Sequence, residues 1–158
     1  MQFAYHRSLG PTIGVLLGIA IVEMLVVHLV VMALFGGTAA IVAGVLDLSL
    51  VIALIGLLRS FRRLPVTIAD GVLTMRAGAL RSVAVPVGQV AGLRSSWDAA
   101  AMKERGVLNL ALASWPNVVV DLSAPVPGHR RPVHAVAHKL DDPAGFAAAI
   151  DALGLRHD

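Results

Sequence analysis

A long run near the start of the chain is almost free of charge. Between residues 10 and 58 only three side chains are ionisable. A helix needs roughly 20 apolar residues to cross the ~30 Å hydrocarbon core of a bilayer, and residues 11–35 and 38–58 each reach that length. A cleaved signal peptide is the alternative, but its apolar region spans about 7 to 15 residues and no second span follows it. The sequence therefore predicts a transmembrane hairpin of two spans within residues 1–63.

The composition divides the chain at the end of this run. Hydrophobic residues make up 57% of the sequence and charged residues 15%, against about 25% charged in typical globular proteins. The excess of apolar residues lies in the first third, and the remainder, residues 64–158, is large enough for one soluble domain. The absence of cysteine excludes disulfides, thiolate catalysis and cysteine zinc sites.

Basic residues beside the apolar run predict its orientation. Arg59, Arg62 and Arg63 directly follow the second predicted span, Arg7 precedes the first, and the connection between the spans carries no charge. Because Lys and Arg near span ends stay in the cytoplasm, both termini are expected there, in a multi-pass protein of the bacterial inner membrane. Three arginines fall short of the four to eight basic residues of an anionic-lipid cluster, so we expect them to orient the protein at the membrane surface.

Three polar side chains, Glu23, His28 and Asp47, interrupt the predicted spans. An Asp at mid-span costs about 2.5 to 3.5 kcal/mol on insertion scales, so a partner is expected. Asp47 shares a helical stripe with Ala40 and Gly44, which predicts close contact with another helix. Glu23 and His28 lie about 140° apart around a helix, so one of them is expected to face a second copy of the chain. Helix association and proton transfer are both open interpretations.

Short β segments separated by turn residues follow residue 63. Asp70-Gly71 between two β-rich runs is a strong hairpin signal. Asp142 and Pro143 are typical of the first residues of a helix. The predicted strands are 66–69, 72–76, 79–85, 90–97, 107–113, 117–123 and 131–140, and the predicted final helix carries Phe146, Ile150 and Leu153 on one face and ends at Gly154.

Two stretches of this region, LPVTIADGVLTMRAGALRSVAVPVGQVAGL and DDPAGFAAAI, resemble bacterial pleckstrin-homology-like (PH-like) domains attached to short transmembrane hairpins. Pro86, Val87 and Val90 match a short pattern of one proline and two apolar residues that precedes the fourth strand in that family. The resemblance implies an all-β PH-like barrel of about seven strands capped by a C-terminal α-helix. It also implies a membrane scaffold without a defined reaction. Eukaryotic relatives bind inositol lipids through basic residues on the first hairpin turn, but here residues 69–71 read Ala-Asp-Gly, so no inositol lipid is expected.

Other patterns do not predict a site. His129, His134 and His138 are close in sequence, but on a strand the last two lie ~13 Å apart, too far for one metal ion with ligand bonds of about 2 Å. The few aromatic residues are not interleaved with the basic ones, so nucleic-acid binding is not expected. We therefore expect no catalytic residue, no metal and no cofactor.

The sequence predicts a noncatalytic, membrane-anchored interaction or assembly module. Its expected partners are the lipid bilayer and either further copies of the chain or another membrane protein. The alternative is a small proton-linked membrane transport or energy-coupling subunit, in which Glu23, His28 and Asp47 exchange protons.

Overall fold

The computed structural model describes residues 1–5, 7, 9–112, 114–127 and 131–153. The chain forms two compact units: a helical unit, Gly10–Ser60, and a β unit made of Met1–Leu9 together with Phe61–Asp158. The predicted order of an apolar helical region, a mainly β region and a closing helix is confirmed. The first residues of the chain, however, belong to the β unit, whereas the sequence grouped them with the helices.

The apolar region forms one helical element, α1, which runs from Leu9 to Arg63. The prediction of two separate helices at residues 11–35 and 38–58 is therefore wrong, because the structure has one long helical element there. Gly36 alone leaves the helical conformation, with φ 83° and ψ 179°. Glycine adopts such a positive φ at little cost, so the chain changes direction there without a connecting loop.

Chain pairing shows that α1 is sharply bent. Strand β1, Gln2–Phe3, pairs antiparallel with β2, Val66–Ala69, and places Phe3 opposite Val66. The connections from this pair to the two ends of α1 allow a separation of less than about 40 Å between those ends. A straight helix of 55 residues would be about 82 Å long. α1 is therefore not straight, and the non-helical residue Gly36 marks its kink.

The β unit contains two four-stranded sheets in the described part of the chain, with strand orders β1-β2-β3-β4 and β5-β7-β8-β6. Neighbouring strands are antiparallel except β6, which runs parallel to β8. The further strands are β3 (Val72–Ala77), β4 (Arg81–Pro86), β5 (Val90–Leu93), β6 (Val107–Asn109), β7 (Val118–Val126) and β8 (Val133–His138). All seven predicted strands are present; β2 has the predicted ends and the other six have changed ends. β1 was missed because two residues show no periodicity.

The closed barrel expected from the PH-like resemblance is wrong, because no strand ladder among the described residues joins the two sheets. The chain leaves the first sheet at Pro86 and makes a single 3-10 turn at Val87–Gln89 before β5 begins in the second sheet. This turn includes Val87, which is one of the residues on which the resemblance to PH-like domains is based. It redirects the backbone, so β4 and β5 do not pair.

The final helix, α2, Pro143–Ala152, forms as predicted. The Asp142 carboxylate accepts a hydrogen bond from the Gly145 amide at 2.9 Å, which caps the helix. Phe146 and Ile150 are fully buried, whereas Leu153 is 41% exposed and lies at the end of the apolar face. The predicted end at Gly154 lies outside the described residues.

The N-terminal arm completes the core of the β unit. The Phe3 ring packs edge-on against Phe146 of α2 at 5.1 Å. Tyr5 is fully buried, with its ring 4.8 Å from that of His138. Its hydroxyl accepts a hydrogen bond from the Gly78 amide at 2.7 Å and donates one to the Leu64 carbonyl at 3.0 Å. A single side chain therefore connects the arm, the β3–β4 turn and the segment after α1.

We expect Tyr5→Phe to destabilise the β unit by about 2 kcal/mol, because it leaves a buried amide and a carbonyl without partners. This corresponds to a fall of about 10 °C in the melting temperature. Both tryptophans lie in the β unit, so their fluorescence during heating reports that unit alone. Ser95→Ala, which removes an exposed hydroxyl, is the control. Equal melting temperatures for Tyr5→Phe and wild type would contradict the bridging role of the hydroxyl.

Candidate functional site

Most of the less exposed residues of the helical unit form two stripes, one on each side of Gly36. Their members recur every three or four positions, which is the spacing of one helix face. The first stripe contains Ile13, Leu17, Ala20, Met24, His28 and Val31, and the second contains Ala40, Gly44, Asp47, Val51, Leu54 and Leu58. Two of the three predicted polar residues, His28 and Asp47, therefore lie on the sheltered faces of α1.

His28 contacts the second stripe at Gly44. Its Cε1 and Nδ1 atoms lie 3.3 and 3.4 Å from the point that a Cβ atom on Gly44 would occupy. Along a straight helix these two residues would be about 24 Å apart. Because glycine has no side chain, the imidazole fits against the backbone there. The predicted stripe of small residues thus receives His28, and Asp47 lies one helical turn further on.

Asp47 is close to this contact but is not paired. Its Oδ2 atom is buried and has no hydrogen-bond partner among the described residues. The structure shows no ion pair between any two of Glu23, His28 and Asp47, whose side chains it describes. A buried carboxyl oxygen without a partner is costly. Asp47 is therefore a polar group whose partner is not supplied by the described part of this chain.

Glu23 lies outside both stripes, on the exposed surface of α1. Its neighbours Val22 and Val26 are 61% and 56% exposed, so the carboxylate lies within an apolar surface. The structure thus separates the predicted trio into two sheltered residues and one exposed residue. The 140° between Glu23 and His28 around a helix indicated that the two side chains would lie on different faces. It did not indicate which of them would face outward.

The predicted membrane-surface arginines lie at the end of α1. Arg59, Arg62 and Arg63 are all exposed. None of them forms an ion pair with an acidic residue in the described chain. Their side chains are therefore available for contacts outside this chain.

His138 is a buried structural residue. Its Nε2 donates to the Arg76 carbonyl at 2.7 Å, and its Nδ1 accepts from the Lys139 amide at 2.8 Å. This arrangement requires the neutral ring with its proton on Nε2. Burial lowers the pKa of His138 below 6.5, and the two backbone hydrogen bonds offset only part of this effect. Burial likewise raises the pKa of the neighbouring Tyr5 phenol above its ordinary value.

The three histidines of the tail do not form a metal site in the described structure. His138 uses both ring nitrogens within the fold. His134 is exposed and lies beside Gly106, and His129 falls outside the described residues. No group of three potential metal ligands occurs in residues 1–5, 7, 9–112, 114–127 and 131–153.

Sequence reasoning missed the role of Tyr5. No local pattern could reveal this role, because its partners lie more than fifty positions away in sequence. The one available signal was an aromatic pair, Phe3 and Tyr5, in an alternating pattern typical of a half-buried strand.

No family model, curated protein sequence or solved structure matches this chain. One described helix, Gly10–Arg63, is long and apolar enough to cross a membrane by length and composition. The function must therefore be argued from the residues themselves.

We expect the β unit to lose stability as the pH falls below 6.5. Because the folded state holds His138 neutral, the unfolded state binds more protons between the lowered pKa and 6.5, and stability therefore rises with pH in this window. The slope for one such proton is up to about 1.4 kcal/mol per pH unit. Tryptophan-monitored unfolding between pH 5 and 7.5 measures it.

The matched control for this experiment is on the same strand. His138→Gln should remove this contribution to the slope, whereas His134→Gln, which changes an exposed histidine, should retain it. An equal loss of slope in the two variants would contradict the assignment to His138.

Proposed function

We propose that this chain is a noncatalytic, membrane-anchored assembly module. In this proposal α1 crosses the bacterial inner membrane twice as an antiparallel hairpin, and the β unit lies in the cytoplasm. Copies of the chain associate through the exposed face of the hairpin that carries Glu23.

The dimensions and surface of α1 support a double crossing. Residues 10–35 and 37–58 correspond to helices of about 39 and 33 Å at 1.5 Å per residue, each sufficient for a ~30 Å hydrocarbon core. Leu16, Leu34, Phe35 and Ile41 are each more than 55% exposed, along with about half of the other large apolar residues of α1. Such a continuous apolar surface is suited to lipid rather than to water.

The orientation is supported by two independent features. The pairing of Phe3 with Val66 keeps the two ends of α1 close together, so a double crossing returns the chain to its starting side. The exposed arginines at residues 59, 62 and 63 favour the cytoplasm for that side.

The exposed position of Glu23 is the observation that carries the assembly proposal. An ionisable residue in a membrane span almost always faces a protein interior or a water-filled cavity. Glu23 faces neither within this chain. A second copy supplies the missing partner most simply, because each copy then contributes the same group to a symmetric contact.

The PH-like assignment of the β unit is part of the proposal. Two mostly antiparallel sheets and the C-terminal helix α2 support it. The parallel strand β6 and the lack of closure depart from the family outline. We regard the β unit as an open variant whose role is to hold partners at the membrane surface, without a reaction of its own.

Replacing Glu23 tests the assembly proposal. Glu23→Leu should weaken self-association by about three- to twenty-fold, the range for an interhelical hydrogen bond in a membrane. Glu23→Gln should retain most of it, because the amide still bonds across the interface. Light scattering in detergent and crosslinking in native membranes measure the oligomeric state.

Val26→Leu, a change between apolar residues on the exposed surface of α1, is the control and should leave assembly unchanged. A monomeric wild type, or equal association of wild type and Glu23→Leu, would exclude the assembly role of Glu23.

The buried, unpartnered Oδ2 of Asp47 favours a second candidate function. In this alternative Asp47 binds and releases a proton within the membrane, as intramembrane carboxylates in proton pathways do. The chain is then a proton-linked subunit, with His28 as the nearest titratable neighbour along the facing stripe.

Asp47→Asn separates the two candidates. If Asp47 serves only in helix packing, we expect the amide to preserve assembly and Asp47→Leu to weaken it. A pH-sensitive dye in liposomes under an imposed pH gradient measures proton flux. We expect no flux above that of empty liposomes. A flux in wild type that both Asp47 variants abolish would instead establish the proton-linked function.

A further inference from the structure

One end of the β unit contains an open cleft of about 1160 Å³. The cleft lies between the β3–β4 turn of the first sheet and the segments that lead into β6 and β8 of the second. Its described ionisable residues are five cations and one acid, a net charge of four positive: Arg76, Arg81, Lys103, Arg105, Arg131 and Glu104. A concave surface with this charge attracts anions strongly.

The sheet topology explains why these residues converge. Strands β6 and β8 are parallel, so the segments before them meet at the same end of the second sheet. Lys103 and Arg105 precede β6, and Arg131 precedes β8. The Gly106 carbonyl accepts a hydrogen bond from the His134 amide at 2.8 Å, which fixes the first segment against the second strand.

The cleft cations have no acidic partner in the described structure. The ion pair that the described residues form, Arg94 with Asp121, lies outside the cleft. In addition, the Nε atom of Arg76 is buried and has no hydrogen-bond acceptor among the described residues. Repulsion among unpaired cations and a buried donor without an acceptor are both relieved when an anion enters the cleft.

We propose that this cleft is a binding site for a phosphate-bearing ligand. Phosphate oxygens accept charge-assisted hydrogen bonds from guanidinium and ammonium groups, and Arg76, Arg105 and Lys103 bring such groups to the lining of the cleft. The volume exceeds that of a single phosphate, so the ligand extends beyond this group. No aromatic residue is among the described lining residues, so the phosphate rather than a stacked base is recognised.

The phosphate has two possible sources, a phospholipid headgroup or a soluble phosphorylated molecule. Leu80, on the β3–β4 turn that lines the cleft, is 55% exposed, and such an apolar rim suits a lipid. The site lies at the end of β3 opposite the Asp70-Gly71 turn. It is therefore separate from the turn that binds inositol lipids in eukaryotic relatives, and it does not depend on assembly through Glu23.

The two lysines of the chain provide a matched pair of variants. Lys103→Gln removes one charge inside the cleft, and Lys139→Gln makes the same change outside it. Full-length protein is placed in phosphatidylcholine nanodiscs and titrated with pyrophosphate by calorimetry. In a second arm the discs contain phosphatidylglycerol, and native mass spectrometry counts the phosphatidylglycerol molecules retained by the protein.

We expect at least one of the two probes to bind wild type. Lys103→Gln and Arg76→Gln should each weaken that binding by about tenfold, the effect of losing one charge-assisted contact. Lys139→Gln should bind like wild type. Pyrophosphate binding indicates a soluble ligand, and phosphatidylglycerol retention without pyrophosphate binding indicates a lipid headgroup.

Two outcomes would overturn the proposal: neither probe binds, or Lys103→Gln and Lys139→Gln reduce binding equally, as attraction by net charge alone predicts. Tryptophan-monitored melting verifies that the variants fold. If Arg76→Gln is unstable, Arg105→Gln, whose side chain is exposed, replaces it in the comparison.

Discussion

The pairing of β1 with β2 ties the chain before α1 to the chain after it, and the rest of the architecture depends on this constraint. The Ile68 amide donates to the Met1 carbonyl at 3.0 Å, and the Tyr5 hydroxyl connects the same arm to Leu64 and to the β3–β4 turn. The β unit is therefore not one continuous segment, because its core is completed by residues that precede α1. Since both ends of α1 are anchored to a single unit, the helix cannot run straight and has to bend. The positive φ of Gly36 is the local feature that allows it.

Within α1 the balance is between the cost of polar groups in an apolar environment and the contacts that relieve it. His28 is accommodated because Gly44 leaves space for its ring. The Oδ2 atom of Asp47 is buried without a hydrogen-bond partner in the described chain, whereas Glu23 is exposed. Each hydrogen bond between membrane helices is worth only about 0.6 kcal/mol on average. Assembly through Glu23 is thus expected to be reversible and to depend on the whole helix surface for its remaining affinity.

Arg76 connects the uncharged core of the β unit with the basic cleft at its surface. Its carbonyl accepts the hydrogen bond of the buried His138, while its side chain lines the basic cleft. The neutral histidine thereby fixes the stretch of β3 that positions a guanidinium for anion binding. Protonation of His138 would weaken both features together, because a charge buried between Tyr5 and this strand has no acidic partner in the described structure.

The sequence by itself determined the elements that depend on near neighbours. The long apolar run predicted a helical region, though as two spans rather than one. The Asp70-Gly71 turn and alternating residues predicted β2 and β3, and Asp142-Pro143 predicted the start of α2, because turn, cap and periodicity signals act within a few residues. The tertiary structure decided the features that depend on contacts between residues far apart in sequence. It added β1, placed β6 parallel to β8, left the sheets unclosed and sorted the polar residues of α1 into sheltered and exposed positions. The basic cleft belongs to this second group. Its cations come from residues 76 to 131 of the sequence, and only the choice of strand partners brings them to one end of the fold.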